Sequence, residues 1–396
     1  MNYARKMIKK VIFFLFRYIF IKKSSTFAGS FHKALIMNRE LLHNKLIEWY
    51  EQNHRILPWR ETEDPYKIWI SEIILQQTRV AQGMEYYHRL ITRFPDIQSL
   101  ADAEEDEILL YWQGLGYYSR ARNLHKAAQL MKNHEIFHQE MRLLGNKARG
   151  EEIFAALKSM PGVGDYTAGA IASFAFDLPY PALDGNVYRV LSRLYDCEIP
   201  FDTTQGKKHF RKLAEELLDR EHPRLFNSAI MELGALHCVP TAPDCHTCPL
   251  NTWCKALANN TVELLPVRKP RPKVRDRHFM YTIYITPDKT TLIHQRKGND
   301  IWKHLWEFPL EEIDRCAVDR VAVDRTKGTV DRYAEVLELT HVLSHQKLHA
   351  RFVIKNVSEL PEIPDTVVVK LSDLDNYAFS RLTLNAIEKL LIPHHS

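Results

Sequence analysis

Four cysteines stand close together near the middle of the chain and could hold a metal centre. Cys238, Cys245, Cys248 and Cys254 follow the spacing C-x6-C-x2-C-x5-C. Thiolates this near in sequence can converge on one centre with little loss of loop entropy. Prolines within the run favour a stiff loop. From chemistry alone, the four thiolates fit either zinc or a four-iron cluster, although zinc sites more often contain two C-x2-C pairs and here there is one.

A carboxylate on a predicted helix could act as a general acid. The dipeptide Asp64-Pro65 predicts a helix start, and the apolar pattern continues for about three turns. On that helix Glu72 lies beside Ile68 and Trp69, three and four residues back. Apolar neighbours desolvate a carboxyl and favour its neutral form, which a general acid needs.

A second carboxylate, Asp184, precedes a predicted turn at Gly185 and Asn186 and a helix that starts near Val187. A side chain in that position caps a helix by accepting hydrogen bonds from free backbone N–H groups. Taken alone, Asp184 is predicted to be only a helix cap; its place after the hairpin described next gives it a second possible role, in the chemistry.

The run Pro161-Gly162-Val163-Gly164 separates two predicted helices. Both glycines are expected to permit unusual backbone angles and close approach of another backbone. The helix that follows begins with free N–H groups, which can bind phosphate without a charged side chain. The run therefore predicts a helix-hairpin-helix that grips a DNA backbone regardless of sequence.

Changes in composition and residue pattern along the sequence divide the chain into four parts. We predict an N-terminal extension (1–37), an all-α region (38–262), a proline- and base-rich linker (263–277) and an α+β domain (278–396). Strands are expected at 279–285, 291–295, 334–340 and 349–354, and a helix at 380–391. The linker is expected to be a semi-rigid spacer whose charges suit a phosphate backbone.

Charge and cysteine usage limit the class of protein. The first 36 residues carry eight Lys or Arg and no Asp or Glu, so the net charge of +5 does not describe the rest of the chain. The apolar run at 11–21 is too short for a comfortable membrane span. We expect the extension to be disordered or to precede a true start at Met37. Clustered cysteines suggest a reducing compartment.

Residues 38–258 resemble the endonuclease III superfamily of DNA base-excision glycosylases, and within it the adenine-specific MutY family. The resemblance covers more than half of the chain in the family's order. It rests on six segments: Leu57-Pro58-Trp59-Arg60, Ser71 to Thr78, Gly114 to Arg120, the Pro161 hairpin, Leu183 to Val187 and the four-cysteine loop.

The resemblance implies an N-terminal all-α helix-hairpin-helix glycosylase domain with a [4Fe-4S] loop, which decides between the two metal centres. It also implies hydrolysis of the N-glycosidic bond of adenine mispaired with 8-oxoguanine or guanine in double-stranded DNA, without strand cleavage. A monomer with no membrane partner is expected, in the cytoplasm or nucleoid of a bacterial-type cell.

The resemblance also assigns roles to residues. Glu72 would protonate N7 of the flipped adenine, Asp184 would stabilise the sugar cation, and Asn186 would orient Asp184. Tyr166 stands where lyase relatives carry a lysine, which predicts a monofunctional enzyme. Contacts with DNA or the substrate base are implied for Arg55, Trp59, Arg60, Leu75, Gln77, Thr78, Leu115, Gly116, Tyr117, Gly162, Gly164, Ser344 and His345, with Gln77, Leu115 and Tyr117 as the wedge beside the lesion.

Residues 277–392 resemble the MutT-like (Nudix) C-terminal domain of the same enzymes. The R-E-x2-E-E box of hydrolytic relatives is missing, so the domain is expected to bind and not to hydrolyse. The lesion-reading Phe-Ser-His loop is matched by Leu343-Ser344-His345, where Leu replaces Phe and the aromatic stacking is lost. A second departure is Ser228, where many bacterial relatives carry a glutamate near the adenine.

Three other functions are possible on these residues. One is a thymine- or pyrimidine-lesion glycosylase of the same superfamily, disfavoured by the C-terminal domain. Another is a non-catalytic iron–sulfur DNA-binding protein, disfavoured because both Glu72 and Asp184 are present. The last is a nucleotide pyrophosphatase, disfavoured by the missing metal box.

Overall fold

The computed structural model describes residues 39–137, 149–270, 274–313 and 335–391. The predicted extension 1–37 lies outside them. By contact density the described chain forms two compact units, residues 39–61 with Ala172–Lys269, and Thr62–Ile171 with the residues from Pro270 onwards. The predicted helical region thus contributes to both units, and the C-terminal strands share a unit with its middle part.

Described residues up to 270 form helices and loops, as the all-α prediction requires. The α-helices are α1 (39–53), α2 (Pro65–Leu75), α3 (Val80–Arg93), α4 (Ile97–Asp102), α5 (Glu105–Trp112), α6 (Ser119–Met131), α7 (Gly150–Ser159), α8 (Asp165–Phe176), α9 (Gly185–Tyr195), α10 (Thr204–Leu217), α11 (Pro223–Leu236) and α12 (Lys255–Ala258).

Helix α2 begins where the sequence predicts. The Asp64 side chain accepts a hydrogen bond from the Tyr66 N–H at 3.0 Å, and Pro65 occupies the first turn, where no backbone donor is lost. Almost every residue of the helix is buried, including Glu72. A carboxylate carried on a helix that is apolar all round must therefore enter the interior.

The first compact unit is organised around one hydrophobic cluster built by α1, α9, α10 and α11. Its α10 starts at a Thr203 cap, whose Oγ1 accepts from the Gly206 N–H at 3.0 Å. A Cβ on Gly206 would lie 2.0 Å from the Pro200 carbonyl oxygen, so only glycine fits there. The linker residues 267–269 lie along this corner, where Lys269 N–H donates to the Asp202 carboxylate at 3.0 Å.

The C-terminal part contains β1 (Arg275–Ile285), β2 (Thr290–Gln295), β3 (Trp306–Glu307), β4 (Leu310–Ile313), β5 (Glu335–Val342), β6 (Gln346–Asn356), β7 (Thr366–Lys370) and α13 (Arg381–Leu390). One sheet has the order β4-β1-β6-β5, with β1 and β6 parallel, and the other has the order β3-β2-β7. Aromatic and aliphatic side chains of both sheets and α13 form one core.

The predicted strands and C-terminal helix are found, except that residue 334 lies outside the described residues. The last three residues of the predicted linker belong to β1 instead. Arg275 to Arg277 continue the parallel register with Gln346 to Leu348, so backbone pairing extends the strand into a charged stretch that propensity alone assigns to a linker.

Candidate active site and cysteine loop

The buried carboxylate of α2 is held by the hairpin helix α8. Glu72 is only 1% exposed to solvent. Its Oε2 accepts a hydrogen bond from the Tyr166 hydroxyl at 2.7 Å. One residue further on α8, the Thr167 hydroxyl accepts from the Gln76 amide at 3.0 Å. Two adjacent residues of α8 thus fix the C-terminal half of α2.

Asp184 is the N-cap of α9, and both of its carboxylate oxygens are engaged. Oδ1 accepts from the Val187 N–H at 2.7 Å, and Oδ2 accepts from the Asn186 amide at 2.8 Å. Asn186 in turn accepts at Oδ1 from the Arg189 guanidinium at 2.9 Å. These contacts fix the orientation of the Asp184 carboxylate, and the helix N-terminus favours its negative charge.

Arg189 joins this carboxylate to the cysteine loop. Its Nε donates to the Cys238 carbonyl oxygen at 2.7 Å, and Nη2 donates to the Gly234 carbonyl as well as to Asn186. Burial lowers the pKa of Arg189. Gly234 lies so close to Asn186 that an added Cβ would meet the Asn186 Cβ at 2.7 Å. Asp184, Asn186 and the first loop cysteine therefore form one connected polar network.

The four loop cysteines line one cavity, together with Arg193 and neighbouring residues. Described cysteines form no disulfide. Burial raises the pKa of the Cys248 thiol to about 12, and the other three loop thiols add to that shift because they lie close to it. No group of three or more His, Cys, Asp or Glu side chains in the described ranges converges tightly enough to hold a single metal ion.

Arg193 fastens the loop to α9. Its guanidinium donates to the Cys238 sulfur at 3.3 Å and to the carbonyls of Val239 and Pro240 at 2.8 and 3.0 Å. On its other edge, Nε donates to the Val262 carbonyl at 3.0 Å. Because Arg193 is buried, these contacts are shielded from water, and the loop has a fixed entrance and exit.

In the hairpin between α7 and α8, the expected unusual backbone is found at Gly162 but not at Gly164. Gly162 has φ +79, and an added Cβ would lie 2.9 Å from the Asn123 Cβ, so glycine is required there. Gly164 does not have a positive φ, and an added Cβ would meet nothing within 4 Å. The prediction of an unusual backbone at Gly164 is therefore wrong. What Gly164 provides is open space in front of the α8 N-terminus.

Two of the three predicted wedge residues project from the surface in a strained backbone. Gln77 (φ 61) and Tyr117 (φ 47) both occupy the left-handed region, and both are exposed. Such angles are costly for residues other than glycine and often mark functional positions. Leu115, in contrast, is only 7% exposed, so its side chain packs into the protein. Gly116 (φ 77) beside it faces open space, and Leu75 and Thr78 are partly buried.

Arg120 connects the two segments that carry Gln77 and Tyr117, and the sequence did not single it out. Its Nη1 donates to the carbonyls of Ile73, Ile74 and Gln76 at 2.9, 2.8 and 2.6 Å, and Nη2 donates to the Gly116 carbonyl at 3.1 Å. Burial lowers its pKa to about 10. The only sequence signal was its place at the end of the Gly114 to Arg120 segment.

Arg55 is held by a second residue that the sequence missed, Glu232. The Arg55 Nε and Nη2 donate to the two Glu232 oxygens at 2.6 and 2.8 Å, and the Arg55 backbone N–H adds a third bond at 3.0 Å. Nearby, Trp59 is buried, the Arg60 guanidinium lies 3.7 Å above the Phe174 ring, and Ser228 is buried. Burial would raise the pKa of Glu232, but the bonds from Arg55 outweigh it and the pKa is lowered.

Glu232→Gln should lower the free energy of unfolding by about 1–3 kcal/mol at neutral pH, because a mostly buried charge-assisted pair loses its charge. Since the Glu232 pKa is lowered in the folded state, the pair stabilises above the ordinary value of 4.5, and this stability is lost as pH falls through the lowered pKa. Denaturant unfolding at pH 7 and at pH 4 measures both effects. Glu48→Gln, in an exposed pair with Lys45, should change stability by less than about 0.5 kcal/mol; equal effects of the two variants would refute this account.

The predicted lesion-reading loop joins β5 to β6. The Leu343 N–H donates to the Gln346 carbonyl at 2.8 Å and closes a tight turn. Leu343 packs against the C-terminal core, whereas Ser344 and His345 are exposed. The loop therefore presents two polar side chains.

The structure brings the predicted site residues together in separate groups. Glu72, Tyr166, Gln77 and Tyr117 belong to one compact unit, and Asp184, Asn186 and the four cysteines belong to the other. Among the described helices, none is long and apolar enough to cross a membrane.

Comparison with known proteins first defines the class. A model of the HhH-GPD superfamily of base excision DNA repair proteins matches residues 70–220, and a NUDIX domain model matches residues 280–389. Among solved structures, one of a thermostable thymine-DNA glycosylase covers 57% of this chain and 99% of its own, with a TM-score of 0.49 and 25% identity. The two domain matches confirm the predicted fold class, a helix-hairpin-helix repair domain followed by a Nudix-like domain.

Curated relatives then narrow the class to a family. The adenine DNA glycosylase of Buchnera aphidicola is 33% identical over 79% of this chain and 85% of its own length. That of Schizosaccharomyces pombe is 33% identical over 89% of this chain and 90% of its own. That of Mus musculus is 39% identical over 59% of this chain and 45% of its own. The chain belongs to the adenine DNA glycosylase family.

Proposed function

We propose that this chain hydrolyses the N-glycosidic bond of adenine mispaired with 8-oxoguanine or guanine in duplex DNA, as a monomer and without cutting the strand. The observation that carries the proposal is the buried Glu72 carboxyl held by Tyr166 of the hairpin helix. An adenine extruded from the duplex needs a proton donor beside it in a site shielded from water. A buried carboxyl held by a residue of the DNA-binding hairpin meets this need.

Glu72 is the proton donor in this mechanism. Adenine is a poor leaving group, and protonation of N7 makes its departure from C1′ of the sugar easier. The bonding electrons of the C1′–N9 bond leave with the base. The Tyr166 hydroxyl orients the Glu72 carboxyl, and the ionised Glu72 can then accept a proton from the attacking water.

Asp184 stabilises the sugar cation that departure of the base leaves behind. Its two oxygens are fixed by Val187 N–H and Asn186, so the negative charge is pre-organised and needs no reorientation during the reaction. A carboxylate so placed can act electrostatically or form a covalent bond to C1′, as in retaining glycosidases. Glu72 thus acts as the acid, and Asp184 supplies the negative charge that stabilises the sugar cation.

The duplex is gripped and opened by groups that need no sequence information. The open space at Gly164 lets a phosphate approach the backbone N–H groups at the start of α8. The exposed Gln77 and Tyr117 insert into the duplex beside the lesion and offset the cost of unstacking. A wedge role for Leu115 would require its buried side chain to move outward.

Tyr166→Lys should introduce strand-cleaving activity. A lysine amine at this position can attack C1′ and form a Schiff base with the opened sugar, a step that tyrosine cannot perform. Borohydride reduction of the imine would trap a covalent protein–DNA adduct, which gel electrophoresis detects. Tyr166→Phe is the matched control and should give no adduct. If Tyr166→Lys retains DNA binding and gives none, the position assigned to residue 166 is wrong.

A [4Fe-4S] cluster is proposed as the resident group of the cysteine loop. The four thiols line one cavity together, and the run contains one C-x2-C pair where zinc sites more often contain two. Four cysteine thiolates are the ligand set that a [4Fe-4S] cluster requires. The four cysteines would occupy all protein ligand positions, so the cluster would contribute to folding and to the shape of the DNA-facing surface, not to bond cleavage.

Arg189→Met should reduce both cluster retention and base release. The change leaves the Cys238 and Gly234 carbonyls without their buried donor and releases Asn186, which orients Asp184. We expect about a 10- to 100-fold lower rate, since one misplaced catalytic group has effects of this size. Iron content and single-turnover rate are the measurements. Arg211→Met, on an exposed pair with Glu215, should change neither; an equal loss there would contradict the network.

The C-terminal domain is proposed to read the lesion and not to hydrolyse nucleotides. Three of its acidic side chains are paired with arginines: Arg277 binds Asp300 and Glu312 at 2.8 and 2.6 Å, and Arg296 binds Glu307 at 2.9 Å. Charge is thus neutralised within the protein. The exposed Ser344 and His345 supply the polar contacts to the 8-oxoguanine edge.

Base release from four matched duplexes tests the proposal. Under single-turnover conditions we expect release from A:8-oxoguanine, slower release from A:G, and none from T:G or thymine glycol. Release only from thymine substrates would favour a pyrimidine-lesion glycosylase. Binding without release from any duplex would favour a non-catalytic iron–sulfur protein. Either result would overturn the proposal.

A further inference from the structure

The loop Gly114–Tyr117, which carries the exposed Tyr117, is held in a strained shape from several sides. Gly114 and Gly116 have φ +94 and +77, and Tyr117 has φ +47. The Tyr86 hydroxyl donates to the Gln113 carbonyl at 2.7 Å, and the Trp112 indole donates to the Gly116 carbonyl at 3.1 Å. A strained backbone persists only where its surroundings determine it.

Part of these surroundings comes from the C-terminal domain. The Phe379 backbone N–H donates to the Gln113 side-chain oxygen at 2.7 Å. The Tyr118 hydroxyl accepts from the Gly114 N–H at 3.2 Å and lies 3.4 Å from the Phe379 carbonyl oxygen, to which it donates. Both ends of the loop are therefore bonded to the backbone of one C-terminal residue.

Phe379 is packed within the core of the C-terminal domain. It is 1% exposed, its ring stacks on Phe308 at 6.0 Å, and Trp306 N–H donates to the neighbouring Ala378 carbonyl at 2.8 Å. Other hydrogen bonds between the C-terminal domain and the helical part of the same unit lie away from the loop. The Gln295 amide donates to Asp106 at 2.8 Å, and Arg122 donates to the Lys303 carbonyl at 2.8 Å.

We propose that Phe379 of the C-terminal domain braces the Gly114–Tyr117 loop through Gln113 and Tyr118, so that this domain controls opening of the duplex as well as lesion reading. The inference rests on the proposed function. A loop that inserts into DNA must resist being pushed back by the base stack, and a brace rooted in a packed core supplies this resistance. The C-terminal domain then contributes to extrusion of adenine through contacts that touch no DNA.

Gln113→Leu in the full chain tests the brace, because it removes the acceptor of the Phe379 N–H at similar size. The probe is a duplex with 2-aminopurine opposite 8-oxoguanine, whose fluorescence rises when the base unstacks. With saturating protein, we expect the rise to be largely lost and the single-turnover rate of adenine release to fall about tenfold, the equivalent of one well-placed hydrogen bond. Gln113→Glu keeps an acceptor and should restore both signals.

Gln295→Ala is the matched control, since it removes a bond between the same two parts that does not involve the loop. It should leave both signals within about twofold of the wild type. If Gln113→Leu is unfolded by circular dichroism, Tyr118→Phe replaces it, because it removes the hydroxyl that bridges Gly114 and Phe379.

The outcomes separate the two proposals. Wild-type protein that releases no adenine refutes the proposed function. Wild-type protein that releases adenine, with Gln113→Leu or Tyr118→Phe folded and equal to it in fluorescence and rate, refutes the brace. Equal losses in Gln113→Leu and Gln295→Ala would also refute it, because the effect would then belong to docking of the domain and not to the loop.

Discussion

Glu72→Gln should abolish adenine release while leaving DNA binding intact. Glutamine has nearly the same shape, and its amide oxygen can still accept the hydrogen bond from the Tyr166 hydroxyl, so the packing of α2 is preserved. It cannot donate a proton to adenine N7, and a positioned general acid contributes about 10²- to 10⁴-fold to a rate. The single-turnover rate constant should fall by at least about 10²-fold, and the dissociation constant for the A:8-oxoguanine duplex should change by less than about threefold.

A carboxylate outside the site provides the control for this prediction. Glu85→Gln on the exposed part of α3 should retain both the rate and the affinity of the wild type. A Glu72→Gln protein with a rate close to that of the wild type would exclude Glu72 as the acid. A Glu72→Gln protein that no longer binds the duplex would show a structural role for the carboxyl.

Cys248→Ser should cause the largest loss of folding stability. Cys248 lies against the main hydrophobic cluster of its unit, and it lines the cavity with the other three thiols. Loss of one ligand would remove much of the binding free energy of the proposed cluster, which is also folding free energy. We expect loss of iron and visible absorbance, a free energy of unfolding lower by several kcal/mol, and weaker DNA binding.

Cys197→Ser tests whether this loss belongs to the loop or to any cysteine of the unit. Cys197 is also partly buried and packs against the same cluster, but it is not one of the four cysteines around the cavity. Its serine variant should keep the full iron content. If both variants lose iron equally, or if Cys248→Ser keeps it, the four-cysteine assignment is contradicted.

Local signals in the sequence predicted the main elements of the site. Asp64 and Asp184 each begin a helix because the capping side chain, the first turn and the apolar pattern lie within a few residues of one another. The strands of the C-terminal domain were likewise visible as alternating apolar runs. The contact between Tyr166 and Glu72 spans 94 residues, and no local pattern in the sequence predicts it.

The residues that sequence reasoning missed act through distant backbone atoms. Arg120, Arg189 and Arg193 donate mainly to carbonyl groups 40 to 70 residues away, and every residue type offers the same carbonyl. No pattern of side chains marks such a partner. Glu232 was missed for a related reason, since its partner Arg55 lies 177 residues away.

Gly164 and Leu115 show where the sequence leaves the surroundings of a residue open. A G-x-G pair suggested unusual backbone angles at both positions, but Gly164 has ordinary angles and leaves room for something outside the protein. The family resemblance places Leu115 in the wedge, and because its side chain is buried in this structure that role stays a prediction. At both residues the sequence is compatible with two different environments, and only the surrounding atoms show which one is present.

Whether this chain removes adenine from the mispair is decided by adenine release from an A:8-oxoguanine duplex, measured beside an A:T duplex of the same sequence under single-turnover conditions. We expect complete release of adenine from the mispair, none detectable from A:T, and an intact sugar–phosphate backbone until alkali is added. An unreleased adenine in the A:8-oxoguanine duplex, with protein that is folded, iron-loaded and bound to the DNA, would contradict the proposed function.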